Sequence, residues 1–193
     1  MPIAINGSGT ITGVSVGGLP DGIVDTDMLA ADAVTAAKIG SKTFTSYAII
    51  CDQKAHNVDG GTFTSGAWQT RDLNTEIADP DSIVSISSNQ FVLGAGSYLI
   101  EGYANAFDVL LHQARLYNAT TSTVVQHGQN AYANSDFNGA NNSIVFARTT
   151  ITGNTTFEIQ HRGSTTKAST GFGIANGFGG ASIYTIVKIF KEA

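Results

Sequence analysis

Two mid-strand carboxylates are the residues in this chain best placed for acid–base chemistry. Glu101 lies in SYLIEGYANA and Glu158 in TTFEIQHRG. A pair of carboxylates flanking a glycosidic bond is the requirement for polysaccharide cleavage. Mid-strand acids beside apolar neighbours also have a plainer role, which is to face solvent or pair across strands with Arg115, Arg148 or Arg162. That is the role expected here, because the other acids fall mostly in turns and no nucleophile elbow, phosphate loop or zinc-binding spacing is present. The chain is therefore expected not to be an enzyme, with no catalytic residues, no metal and no cofactor. The four histidines are His56, His112, His127 and His161. His112 and His127 fall in two strands of one expected hairpin. Near a threefold axis such imidazoles could hold a metal or an anion; a strand-edge or core hydrogen bond is the expected role. Cys51 is the single cysteine, so no internal disulfide is possible. In YAIIC it reads as a small apolar strand residue rather than an activated thiol, which needs basic surroundings.

Binding chemistry is written more clearly than catalysis. HGQNAYANSDFNGANNS (127–143) reads as a long Asn-rich loop carrying Tyr132 and Phe137. Amides and carboxylates bond sugar hydroxyls, exposed rings stack on the apolar faces of sugars, and long loops on a rigid scaffold are where recognition concentrates. Tyr132, Asn134, Asp136, Phe137, Asn138 and Asn141 are the expected receptor-binding residues. A second loop, RGSTTKASTGFGIANGFGG (162–180), carries Lys167, Phe172, Asn176 and Phe178. Its phenylalanines either cap the core, as buried Phe usually does, or join the binding surface. Trp68 is expected to plug the interior.

The elements that must hold these residues follow from composition and periodicity. Charged residues are only 13% of 193, against about 25% in typical domains, while 42% are hydrophobic and 22 are glycine. Thr, Ser and Asn supply the polarity, which suits strands and turns. Net charge is −5 with no cluster of Lys and Arg, which argues against nucleic acid as a partner. No apolar run approaches the ~20 residues of a membrane span, and MPIAINGSG does not read as a secretory leader.

From residue 44 onward, short apolar–polar alternations separated by turn residues read as eight to ten strands of an antiparallel β-sandwich, an all-β jelly roll over 44–193. Hairpins are expected at 119–121 and at 152–154, where Gly153 and Asn154 accept turn geometry. The final strand, ASIYTIVKIF (181–190), is apolar on both faces: Ile183, Val187 and Ile189 on one, Tyr184, Ile186 and Phe190 on the other. One face belongs to the core, and the other is free for a neighbouring subunit. Residues 1–22 read as Gly-interrupted short extended pieces. Residues 23–43 contain a ten-residue repeat, VDTDMLA (24–30) over VTAAKIG (34–40), with Val24, Leu29, Val34 and Ile39 spaced five apart. This stretch has too few apolar groups to offset backbone ordering at ~1–2 kcal/mol per residue. It becomes a thin shaft with short helical turns if copies wrap about one axis, and is otherwise an Ala-rich linker. The expected trimer interface is Val24, Leu29, Val34, Ile39, Tyr184 and Ile186.

Several stretches carry a family resemblance. QFVLGAGSYLIEG (90–102) resembles the strand signature of C1q/tumour-necrosis-factor-like jelly rolls through Phe91, Gly96 and Tyr98, with the aromatic-to-glycine gap one residue short. FGGASIYTIVKIF (178–190) resembles that family's closing strand at a trimer axis. Residues 7–40 resemble the attachment and shaft segments of bacteriophage tail fibres, especially those of cyanophages, and GGTFTSGAWQTRDLN (60–74) and HQARLYN (112–118) resemble their heads. The resemblance implies a homotrimer in the virion tail, with residues 1–22 attached to a tail or baseplate protein. It implies a head that recognises a host cell-surface receptor, a glycan by the loop chemistry above, with no nucleic acid and no membrane insertion. The alternative is a virion protein that binds nothing outside the particle, such as a capsid-decorating cement or a fibre connector.

Overall fold

The computed structural model describes residues 43–134 and 138–193. The attachment segment, the shaft with Val24, Leu29, Val34 and Ile39, and the loop residues Asp136 and Phe137 lie outside the described residues. Every regular element among the described residues is a strand: β1 (Phe44–Lys54), β2 (Gln69–Thr70), β3 (Thr75–Ala78), β4 (Val84–Ser87), β5 (Gln90–Leu93), β6 (Gly96–Phe107), β7 (Leu110–Asn118), β8 (Thr123–Ala133), β9 (Ala140–Ile151), β10 (Thr155–Gly163) and β11 (Ser182–Glu192).

They form two antiparallel sheets. Sheet I has the order β3-β1-β11-β6-β9, and sheet II the order β4-β5-β10-β7-β8 with β2 added on β10. Side chains alternate across a strand, so each long strand gives half its residues to the space between the sheets. Ile100 and Ala104 of β6, Val187 and Ile189 of β11, Ala114 and Leu116 of β7, and Phe157 and Ile159 of β10 are all fully buried there. Phe91 and Phe157 are register partners on β5 and β10 and stack at 5.7 Å. The 90–102 signature has a physical role in this packing. Phe91 fills the core, the Tyr98 hydroxyl donates to the Gly94 carbonyl at 3.0 Å, and a Cβ on Gly96 would sit 3.3 Å from the Tyr98 ring.

The expected hairpin at 119–121 is present: β7 pairs with β8 from Leu110↔Ala133 to Asn118↔Thr123. The one expected at 152–154 is not. β9 pairs with β6 in sheet I, whereas β10 pairs with β7 and β5 in sheet II. Residues 152–154 reverse the chain across the core instead of within a sheet. Turn residues specify a reversal, but the choice of sheet is made by which apolar faces meet.

At one end, segments 60–63 and 167–173 are zipped by backbone hydrogen bonds. Phe63 and Lys167 exchange two of them at 2.9 Å, and Gly60 N–H donates to Gly173 O at 2.9 Å. Beneath them a second apolar cluster gathers Phe63, Ala106, Val109, Ala133 and Phe172.

Candidate functional site

The two outward faces carry different chemistry. On sheet I, strand register aligns Tyr47 with Phe190 and Leu99, and Ile186 with Tyr103 and Ile144. Phe44 packs against Phe190 in a tilted arrangement with ring centres 5.3 Å apart, and Phe146 is 51% exposed. The charges in this apolar field are neutralised within it: Lys188 reaches Glu101 at 3.3 Å and lies over the Tyr103 ring, and Arg148 grips Glu192 through two bonds of 2.8 and 2.6 Å.

On sheet II the outward residues are Glu158, Gln160 and Arg162 of β10, and Leu111, Gln113, Arg115 and Tyr117 of β7. Register sets Leu111 opposite Tyr132 and Gln113 opposite Asn130. Trp68 lies over this face. Its ring stacks on the Arg115 guanidinium at 4.0 Å, which also faces Tyr117 at 5.1 Å. Arg115 Nε donates to Gln160 at 2.7 Å, and the Gln160 and Gln90 amides both donate to Glu158. Beside this network opens a cleft of about 730 Å3, within the size range of small-molecule sites. Trp68, Leu111, Gln113, Asn130, Arg162 and Ser164 line it, and none of the described residues lining it is a carboxylate. Ser164 is fixed by accepting from Leu111 N–H at 3.1 Å, and Gln113 by donating to the Gly128 carbonyl at 2.9 Å. A ring, an aliphatic side chain, amides and one guanidinium form a surface for a polar ligand with apolar faces.

Behind the cleft the core holds charge and imidazole. His112 Nδ1 and His161 Nε2 are 2.9 Å apart, and the other ring nitrogen of each is buried without a hydrogen-bond partner. Burial, followed by the field of Arg71, lowers His112 to about 4, and burial holds His161 well below the usual histidine range. At neutral pH both rings are uncharged, with one donating to the other. Arg71 is itself fully buried. Its Nε donates to Thr185 Oγ1 at 2.8 Å, its Nη2 to the Phe172 carbonyl at 3.0 Å, and its plane lies 4.0 Å from the Phe172 ring centre. Burial lowers its basicity, while Asp52 and Asp72 act to raise it.

The structure brings together part of the expected site. Tyr132 stands on β8, 49% exposed, opposite Leu111, which lines the cleft. The expected long loop is short, because β8 runs to Ala133 and β9 begins at Ala140. Asn134 and Asn138 lie in the intervening connection, where Gly139 N–H donates to the Asn134 carbonyl at 2.7 Å and Asn138 adopts positive φ. Asn141 is in β9 and its side chain accepts from Asn142 N–H. Trp68 does not plug the interior; the outward Arg115 draws it onto sheet II. His112 and His127 are not neighbours, since His112 points inward to His161 while His127 packs outside near Trp68 at 5.9 Å. Glu101 and Glu158 lie on outer faces of different sheets. Phe172 is buried, whereas Phe178 is 89% exposed. Tyr184 is covered by the chain itself. Its ring lies where a Cβ on Gly173 (φ 138°) would come within 2.1 Å, and its hydroxyl donates to the Val58 carbonyl at 2.7 Å. Ile186 is half-buried on the outer face of sheet I. Burial raises the Cys51 thiol pKa, and nearby Asp52 adds to the effect, which fits an inert strand residue.

No protein-family model matches the chain, and no curated protein matches its sequence. Solved structures do match the fold. The globular domain of zebrafish complement 1qA protein aligns with a TM-score of 0.50 at 11% identity, covering 76% of this chain and 97% of that one. Eiger TNF from S. frugiperda aligns with a TM-score of 0.52 at 11% identity, covering 79% and 94%. The fold is a C1q/TNF-like jelly roll. At such identity the likeness concerns the fold, and a fold of this kind hosts many functions, so the function of this jelly roll has to be argued from its own faces.

Proposed function

We propose that the chain is a homotrimeric adhesin. Its C1q/TNF-like head recognises a host cell-surface glycan, and its N-terminal residues attach it to the tail or baseplate of a phage as a tail fibre. The observation that carries the binding half is the sheet II cleft, where Trp68 and Leu111 offer apolar surface beside the amides of Gln113 and Asn130, with Tyr132 exposed opposite Leu111 on the next strand. Assembly is supported by the outer face of sheet I. Monomeric proteins seldom leave a broad apolar field open, and here its charges are paired within the face. The attachment half rests on the resemblance of residues 7–40 to fibre shafts. Packing three copies through sheet I leaves each cleft on the opposite face, open to a ligand, and three weak sites on one fibre bind a cell surface through high local concentration.

The test is binding of the purified full chain to host cells. Wild type is expected to sediment as three copies and to coat the cells, and Trp68→Ala together with Tyr132→Ala is expected to abolish coating with the melting temperature nearly unchanged. A trimer that ignores host cells would instead be a structural protein of the particle, and labelled antibody seen by electron microscopy on the capsid rather than the tail would place it there.

A further inference from the structure

We infer that the sheet II cleft takes an anionic sugar, whose oxyanion is held by Arg162. This rests on the adhesin reading and specifies the class of glycan that reading leaves open. The first observation is a contrast among the arginines. Arg71 is bonded to Thr185 and Phe172, Arg115 to Gln160, and Arg148 to Glu192. The Arg162 side chain alone among them forms no ion pair or hydrogen bond with any described residue, and it is exposed at the cleft. A guanidinium presents a planar fork of donors matched to a carboxylate or similar oxyanion.

The second observation is the local balance of charge. No described residue lining the cleft is a carboxylate, and Glu158, the acid on this face, is already engaged by the amides of Gln90 and Gln160. Burial is the main influence lowering the basicity of Arg115; Tyr117 and Glu158 act to raise it, and Arg162 adds a smaller lowering effect. In a chain of net charge −5, the cleft itself is lined by an arginine and by no described carboxylate. An incoming anion would pair the Arg162 guanidinium at the cleft, an interaction that a neutral sugar cannot make.

The third observation is the remaining lining. Trp68 and Leu111 give apolar surface. Gln113 spends its amide nitrogen on Gly128, which leaves its oxygen to accept from a hydroxyl, and the exposed Asn130 can donate or accept. One free cation among amides and a ring suits one charge per sugar unit. A nucleic acid, by contrast, requires many cations along its track.

The experiment titrates the full chain with three probes: an oligosaccharide of uronic acid units, the same oligosaccharide with its carboxyls reduced to alcohols, and a sulfated neutral oligosaccharide. The uronate is expected to bind at least about tenfold more tightly than its reduced form, as a charge-assisted hydrogen-bonded pair would give, and the difference should shrink with added salt. Arg162→Gln should erase the difference with melting temperature unchanged, and Arg162→Lys should restore part of it. Sulfated probe binding as well as uronate would assign oxyanions in general, and weaker binding would assign the carboxylate. Reduced and charged probes binding wild type alike, or Arg162→Gln binding the uronate as wild type does, overturns the anionic-sugar assignment and leaves the adhesin reading standing. Failure of all three probes together with failure to bind host cells overturns both.

Discussion

The outer faces of the two sheets are built by the same strand grammar and end with opposite surfaces. On β6 and β11 the outward positions are Leu99, Tyr103, Ile186 and Phe190, with Lys188 and Glu101 paired among them. On β7 and β10 they are Arg115, Gln113, Gln160 and Arg162, with Trp68 laid across from outside. The lesson is that a jelly roll fixes which residues face outward and leaves open what that face does. A face whose charges are matched internally asks for apolar cover, while a face with an unmatched cation beside a cleft asks for a ligand. In the proposed function, that difference gives assembly to sheet I and recognition to sheet II.

The strongest way to break the comparison is to put a charge into the face proposed for assembly. Ile186→Asp would set an unpaired carboxylate in an interface, a change that costs ~3–5 kcal/mol when a buried charge loses its partner. Sedimentation equilibrium should move from three copies toward one, because residues 23–43 have too few apolar groups to hold the trimer by themselves. Uronate binding per chain should persist, and its loss along with the trimer would mean that the two faces do not act separately.

Acid should disturb both faces together, since the histidine pair lies in the core between them. The folded-state pKa of His112 is about 4, below the unfolded value of about 6.5, and that of His161 is lower than usual too. Above the unfolded value neither state takes up the protons and the contribution of the pair to stability is intact. As pH falls from about 6.5 toward 4, the unfolded chain binds protons first and stability drops, on the order of 3 kcal/mol for one such group. Urea midpoints measured from pH 7 to 4 should show this fall, and replacing both histidines by Gln should flatten it. An equal slope in the double variant would place acid sensitivity elsewhere.

Trp68→Ala sharpens the comparison from the other side. It removes the cleft wall and uncovers Arg115, so binding should weaken by about tenfold or more, as loss of a stacked aromatic anchor commonly does. The melting temperature should barely move, because the ring is only partly buried and outside the core. A smaller effect than that of Ile186→Asp is expected from Arg148→Ala. Arg148 pairs with Glu192 inside the face proposed for assembly. The variant chain by itself should melt like wild type, as an exposed ion pair contributes little to stability, while its trimer should dissociate more readily because Glu192 loses its partner in the interface.

Much of this was legible in the sequence. Period-two alternation marked β6, β7, β10 and β11 nearly to their ends, since one face of each had to be apolar. Tyr132 was legible as an exposed ring among amides. Other features depend on long-range pairing. His161 meets His112 only because β10 and β7 are neighbours in register, 49 residues apart in sequence. Arg71 gave no sequence signal that would mark it as buried. Trp68 read as core because large aromatics usually are, and its outward place follows from Arg115, which no local pattern links to it. The 127–143 stretch read as a loop because Asn and Gly are poor strand formers. β8 and β9 hold them by pairing with β7 and β6, so context overrode propensity.

The division between the faces can be tested directly by thiol labelling of the assembled full chain. Cys51 is buried and inert, so a single introduced cysteine reports alone. In one copy of the chain, Phe146 on sheet I is 51% exposed and Leu111 in the cleft is 66% exposed, so assembly is what should separate their reactivities. Phe146→Cys is expected to react many times more slowly than Leu111→Cys in the trimer, and to match it once mild urea dissociates the copies without unfolding them. Equal rates in the native protein, or a protected Leu111→Cys thiol beside a reactive one at Phe146→Cys, would contradict the assignment of assembly to sheet I and of ligand to sheet II.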